Sequence, residues 1–159
     1  SEVKDIMFQT ADDAQKLKAE FLRDVDLDTD AFNELMACFG MPKGDAGEEQ
    51  ARNDAIMAAT KKAAMIPLGV LERSRRVIDL AETMAQKGNR NSISDAGVGI
   101  LAARCAAEGA YLNVMINIAD IADPDWVAGV RERAGMCIAD VRQAAEKALE
   151  VVNTALGIR

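Results

Sequence analysis

Residues 93–117 read ISDAGVGILAARCAAEGAYLNVMIN, and this stretch decides the class of fold. On a helix with 100° per residue, its small and polar residues share one face. A glycine inside a helix costs about 0.5–1 kcal/mol relative to alanine. Gly97, Gly99 and Gly109 therefore predict that another helix or a flat ligand packs closely against this backbone. The shared face consists of Asp95, Gly99, Ala102, Ala106, Gly109 or Ala110, Asn113 and Asn117.

Asn113 and Asn117 interrupt an apolar run, and burying an unpaired side-chain amide costs roughly 2–7 kcal/mol. Either each amide is satisfied by a neighbouring backbone at a tight helix contact, or both lie in a polar cleft at a helix or subunit seam. Asp95 precedes Asn113 by about 27 Å on a straight helix. These two side chains therefore mark opposite ends of a long ligand, or they meet from different subunits.

The rest of the chain also shows helical periodicity, and no segment alternates as a strand does. Pro67 is expected to kink or restart the second helix, because proline lacks a backbone N–H. Gly88 is expected to cap the end of that helix, with Ser92 or Ser94 at the next start and Asp123 before the last helix. The sequence predicts a single all-α domain over residues 1–159, with helices at about 2–39, 48–87, 93–119 and 124–156.

The composition narrows the class of protein. Half of the 159 residues are hydrophobic but only 4% are aromatic, which is typical of a helical bundle. The net charge of −7, with no dense stripe of basic residues, makes nucleic acid and anionic membranes poor partners. Three scattered cysteines fit a reduced, cytoplasmic protein. No apolar stretch reaches the ~20 residues of a membrane span.

The chain has no histidine, which excludes catalytic Ser-His triads, Cys-His dyads and most zinc sites. Proton transfer would have to use carboxylates, lysine, tyrosine or ordered water. Asp30 and Asn33 lie opposite the apolar stripe of the first helix, and Lys43 lies in the loop GMPKGDAG (40–47). Spacing alone favours a solvated face and an ordinary loop lysine for these three residues.

Three segments together resemble a known family: DTDAFNELMACFGMPK (28–43), IPLGVLERSRRVIDLAE (66–82) and GNRNSISDAGVGILAARCAAEGAYLNVMINI (88–118). Their order and spacing are similar to those of the formiminotransferase-cyclodeaminase and methenyltetrahydrofolate cyclohydrolase family. The resemblance implies an all-α, up-and-down bundle of long, partly kinked helices that forms a homodimer. It implies folate bound near the subunit seam. The chain would lack the glycine-rich N-terminal helix that family members usually carry.

The resemblance also implies a role in one-carbon metabolism, namely hydrolysis of 5,10-methenyltetrahydrofolate to 10-formyltetrahydrofolate. The alternatives are the ammonia-releasing cyclisation of 5-formiminotetrahydrofolate and a non-catalytic dimerisation module. Neither a cofactor nor a metal is expected. Asp95 would act as a base or stabilise the cationic substrate, and Lys43 would donate or shuttle a proton. The substrate-binding residues carried over from the family are Asp30, Asn33, Ser94, Asn113 and Asn117.

Overall fold

The computed structural model describes residues 2–158, and this part of the chain contains helices and no strand. The expected all-α class is confirmed. A short 3-10 turn at Arg90–Ser92 precedes the third helix. The four helices are α1 (Glu2–Phe39), α2 (Ala46–Lys87), α3 (Ile93–Asn117) and α4 (Pro124–Leu156).

The ends of the helices follow local chemistry. Asp123 accepts a hydrogen bond from the N–H of Trp126, and Pro124 occupies the first turn of α4, as the sequence predicts. Gly88 ends α2. Ser92 stands at the start of α3, but its side chain makes no capping hydrogen bond. α2 continues through Pro67 without a restart, so that part of the expectation is wrong.

Contacts between helices show that consecutive helices alternate in direction. Between α1 and α2, and again between α3 and α4, the residue numbers of the paired side chains run in opposite directions. α2 and α4 are parallel. The pairs are Glu20–Arg76, Asp24–Arg73 and Glu34–Lys62 for α1 and α2, Glu108–Arg142 and Met115–Arg131 for α3 and α4, and Glu72–Arg133 and Arg75–Asp140 for α2 and α4.

The core lies between α2, α3 and α4, whereas α1 packs mainly against α2. Four buried residues of α1 recur every seven residues, which makes a narrow seam with a large outer surface. Gly97 of α3 meets α4, because a Cβ atom there would lie 3.0 Å from Cγ1 of Val152. At Gly109 a Cβ atom would have no neighbour within 4 Å. The expected close approach is therefore found at Gly97 and not at Gly109.

Large apolar side chains cover the outer face of α3. Val98 and Leu101 are 65% and 53% exposed, and Leu112 and Ile116 are 67% and 70% exposed. Cys105, also exposed, lies midway between them. We call these five residues the outer face of α3. Among residues 2–158, no helix is long and apolar enough to cross a membrane.

Candidate active site

An open trough runs between α1 and α3, with α2 as its floor. It holds two cavities of about 830 Å³ and about 470 Å³. Phe21 and Val25 line both cavities, so the two adjoin along α1. The trough follows the small-residue face of α3 that the sequence singles out. We refer to its two parts as the larger and the smaller cavity.

The larger cavity is mostly apolar. Asp95 lines it from the first turn of α3, where the partial positive charge of the helix N-terminus favours a carboxylate. Lys18 is the one basic residue in its lining. The hydroxyl of Thr10 already donates to the carbonyl of Ile6, so it is not available to a ligand as a donor. This cavity suits the apolar middle of a ligand with charged ends.

The smaller cavity is more polar. Asp24, Asp28 and Thr29 line it from α1, and Asn113 lines it from α3. Within residues 2–158 the Asn113 amide makes no side-chain hydrogen bond, so it is open to a ligand or water. Gly109 and two alanines line the cavity from α3, so no bulky side chain enters it from that helix. Two carboxylates and a free amide thus surround a space that a bicyclic ring can enter.

Asp24 is the most buried of these polar residues, with 7% of its surface exposed. Its Oδ2 accepts a hydrogen bond from Nη2 of Arg73 on α2. Glu20 and Arg76 extend the ion pair along the α1–α2 contact. A carboxylate in such a place needs this compensation, because an unpaired buried charge is very costly.

The structure brings two of the predicted site residues to one trough. Asp95 lines the larger cavity and Asn113 the smaller one. Because α3 is unbroken between them, they remain about 27 Å apart within one chain. Ser94 is exposed beside Asp95 but is not part of the cavity wall.

The other predicted residues line neither cavity. Asp30, Asn33 and Lys43 are exposed, and Asn117 is half-buried at the last turn of α3. Asp30 follows Asp28 by two residues, a rotation of about 200° around the helix, so their side chains leave α1 on nearly opposite sides. Lys43 and Asp95, the two predicted catalytic residues, lie at opposite ends of the bundle within one chain, since Lys43 precedes α2 and Asp95 follows it.

Sequence reasoning missed Asp24 and Asp28. Together with Glu20 they recur every four residues along α1, on the side that faces α2 and α3. That spacing is visible in the segment EFLRDVDLD (20–28), next to the buried Leu17. A helical projection of this segment would have pointed to a carboxylate stripe at the edge of the packed seam.

A third cavity of about 340 Å³ lies between the first half of α2 and the segment that joins α3 to α4. Asp54 and Asp120 are among its polar lining residues, and none of the predicted site residues belongs to it. Within residues 2–158, no group of three or more Cys, Asp or Glu residues is arranged to hold a metal ion.

Comparison with known proteins decides the family. The family model described as formiminotransferase-cyclodeaminase matches residues 1–136. The chain belongs to this family. A methenyltetrahydrofolate cyclohydrolase from Methylorubrum extorquens is 44% identical over 96 residues, which are 60% of this chain and 46% of that relative. A formimidoyltransferase-cyclodeaminase from Dictyostelium discoideum is 33% identical over 126 residues, or 79% of this chain and 22% of that protein.

The fold also matches a solved structure of the family. The formiminotetrahydrofolate cyclodeaminase of Thermotoga maritima superposes with a TM-score of 0.84, over 98% of this chain and 74% of that one, at 19% identity. That similarity shows a shared fold. The family membership predicted from the sequence motifs is thus confirmed. The chain spans less than half the length of the two curated relatives named above.

Proposed function

We propose that the chain hydrolyses 5,10-methenyltetrahydrofolate to 10-formyltetrahydrofolate, with the trough as its substrate site. The observation that carries this proposal is the 44% identity to a methenyltetrahydrofolate cyclohydrolase. The shape of the trough supports it. Tetrahydrofolates combine a bicyclic ring, an apolar aromatic middle and an anionic tail. The polar smaller cavity and the apolar larger cavity follow the same order along α1, and Lys18 lines the larger cavity.

The chemistry takes place in the smaller cavity. The methenyl carbon belongs to a delocalised cation, which a nearby carboxylate stabilises in a partly desolvated site. Asp28 accepts a proton as water attacks this carbon, and Asn113 orients the water. A C–O bond forms, and the bond from N5 to the carbon then breaks. N5 takes a proton back from Asp28, while the new hydroxyl loses its proton to give the formyl group. One proton is released overall.

Asp95 reaches this site from a second copy of the chain in our proposal. The outer face of α3 carries no charge, and two of its apolar residues, Val98 and Leu112, lie symmetrically about Cys105. An antiparallel pairing of two α3 helices at Cys105 places Val98 of each copy opposite Leu112 of the other. It brings Asp95 of one copy to the level of Asn113 of the other, on the side of the trough.

This homodimer is tested by cross-linking. A short bismaleimide is expected to join two chains through Cys105 in a variant that has Cys38 and Cys137 replaced by serine. The same variant with Cys105→Ser is the control. A monomer in light scattering, with no cross-link, would contradict the dimer.

Complementation tests the shared site. Asp95→Asn and Asn113→Ala are each expected to be nearly inactive. If every site uses one residue from each copy, a dimer of the two variants has one intact site. An equal mixture that exchanges subunits should then recover about a quarter of wild-type activity, since random pairing yields half mixed dimers. No recovery would contradict a site shared between two copies.

The roles of Lys43, Asp30, Asn33, Ser94 and Asn117 stay as predicted from the family resemblance. Lys43 would donate a proton from the loop that follows α1, and the other four would bind the substrate. Four of them lie in or near the end of the bundle beyond Asn113, and Ser94 lies beside Asp95. Substitution of Lys43 by methionine tests the first of these roles, since it keeps the length of the side chain without its charge.

The cyclisation of 5-formiminotetrahydrofolate is the second candidate, favoured by the 33% identity to a formimidoyltransferase-cyclodeaminase. One assay separates the candidates. Loss of methenyltetrahydrofolate absorbance indicates hydrolysis, whereas appearance of the same absorbance with release of ammonia indicates cyclisation. If neither absorbance change is observed, the proposed function is contradicted, and the chain is better described as a non-catalytic dimerisation module.

A further inference from the structure

Asp24 and Arg73 form an ion pair at the wall of the smaller cavity, and the mechanism above does not use it. Oδ2 of Asp24 is held by Arg73. Within residues 2–158, Oδ1 of Asp24 accepts no hydrogen bond, although Asp24 is more than nine-tenths buried and lines the cavity. An ionised carboxylate has about four acceptor positions, so most of its capacity is left for a ligand.

Gly69 explains how Arg73 reaches Asp24. It lies one turn before Arg73 on α2, and long side chains of a helix lie over the preceding turn. A Cβ atom at Gly69 would be 2.9 Å from Nη2 and 3.3 Å from Nη1 of Arg73. Since the backbone φ of Gly69 is not positive, conformation does not require glycine there. The glycine instead leaves room for the guanidinium group.

We infer that Asp24 binds the N–H edge of the substrate's 2-amino-4-oxopyrimidine ring and that Arg73, seated over Gly69, is the positioning residue for Asp24. This inference rests on the proposed function. That ring edge presents two adjacent N–H donors, and a carboxylate is the acceptor that pairs with both.

The spacing of the two carboxylates fits this division of roles. Asp28 follows Asp24 by one turn, which separates their Cβ atoms by about 6 Å on the same side of α1. Asp24 then faces the pyrimidine edge, while Asp28 faces the reacting carbon at the other end of the ring system. The two carboxylates divide recognition and chemistry between them.

Calorimetric titration with 5-formyltetrahydrofolate and with its analogue lacking the 2-amino group tests the role of Asp24. Wild type is expected to bind the analogue about tenfold more weakly, because a charge-assisted hydrogen bond is lost. Asp24→Asn is expected to bind both compounds with nearly equal affinity and to raise KM about tenfold, with kcat changed less than about threefold. An equal loss for the analogue in both proteins would overturn the inference.

Gly69→Ala tests the positioning role, because it displaces the guanidinium of Arg73 without removing a charge. We expect KM to rise severalfold and discrimination against the analogue to fall. Gly135→Ala is the matched control, since a Cβ atom at that helical glycine meets nothing within 4 Å. If Gly69→Ala discriminates against the analogue as well as wild type does, the Asp24–Arg73 ion pair only holds α1 against α2 and does not position Asp24.

The outcome is separable from that of the proposed function. Wild type that neither binds 5-formyltetrahydrofolate nor turns over methenyltetrahydrofolate would overturn both proposals. Active wild type with an Asp24→Asn variant that keeps its discrimination would overturn this inference alone.

Discussion

The two faces of α3 are both apolar, but they differ in side-chain size and in their surroundings. On the inward face Gly97 contacts Val152, and small side chains such as Ala103 and Ala107 are buried. On the outward face Leu112 and Ile116 are equally apolar but two-thirds exposed or more. Folding of the single chain uses the first face and leaves the second unused. An exposed apolar face of this size is typical of an interaction surface, so the outer face is where assembly and the site are expected to meet.

Among the residues of α3, the largest effect is expected at Asp95, which lies beside the outer face. Asp95→Asn should lower kcat/KM by about 10²–10³, the range for loss of one group that stabilises charge at the reacting centre. Initial rates of methenyltetrahydrofolate hydrolysis measure it. Asp125→Asn is the control, because Asp125 is likewise in the first turn of a helix. A similar loss in both variants would show that Asp95 has no special role.

A charge on the outer face should break the dimer. Leu101→Asp is expected to halve the mass measured by light scattering and to reduce activity at least tenfold at low protein concentration, because an unpaired carboxylate would be buried in the interface. Met136→Asp is the control, since Met136 is 62% exposed on α4, away from this face. A dimeric and active Leu101→Asp protein would argue against the outer face as the interface.

A substitution on the inward face of α3 and one on its trough wall should change the free energy of unfolding in opposite directions. Gly97→Ala overpacks the contact with Val152 and should lower it by about 1–3 kcal/mol. Gly109→Ala meets no neighbouring atom and should raise it by about 0.5–1 kcal/mol. Urea denaturation measures both. Gly109→Ala should also raise KM, because its methyl group narrows the smaller cavity. Destabilisation by both variants would mean that the trough wall at Gly109 is packed as tightly as the inward face.

The smallest effect is expected at Lys18, in the larger cavity. Lys18→Ala should raise KM up to about fivefold with kcat unchanged, since a solvent-exposed ion pair contributes about 0–1 kcal/mol. The difference from wild type should shrink as KCl is raised. A salt-independent change would indicate that Lys18 does not bind an anionic group.

The helices could be predicted from the sequence because their signals are local. Asp123 and Pro124 mark the start of α4 within the segment that forms it. The periodicity of α1 runs through its whole length, and the structure keeps it as one helix. These features depend on neighbours one turn away and not on the rest of the fold.

The site was harder to predict because it depends on which face of α1 turns towards α3. Asp28 and Asp30 are two residues apart in the same motif, yet only Asp28 lines the trough. The same limit applies to the glycines of α3, since the sequence does not state which one meets a neighbouring helix. Such choices follow from tertiary packing. The family resemblance gave the order of the motifs, but it did not show which face of α1 turns towards α3.

The rate at which Asp28→Asn hydrolyses methenyltetrahydrofolate tests the central claim most directly. The loss of the substrate's absorbance measures this rate. Wild type and Lys18→Ala are expected to hydrolyse the substrate rapidly at saturation, whereas kcat of Asp28→Asn should be reduced by about 10²–10⁴. The binding affinity for 5-formyltetrahydrofolate should change little in Asp28→Asn. Hydrolysis by Asp28→Asn at the wild-type rate would contradict the assignment of the smaller cavity as the place where the methenyl carbon reacts.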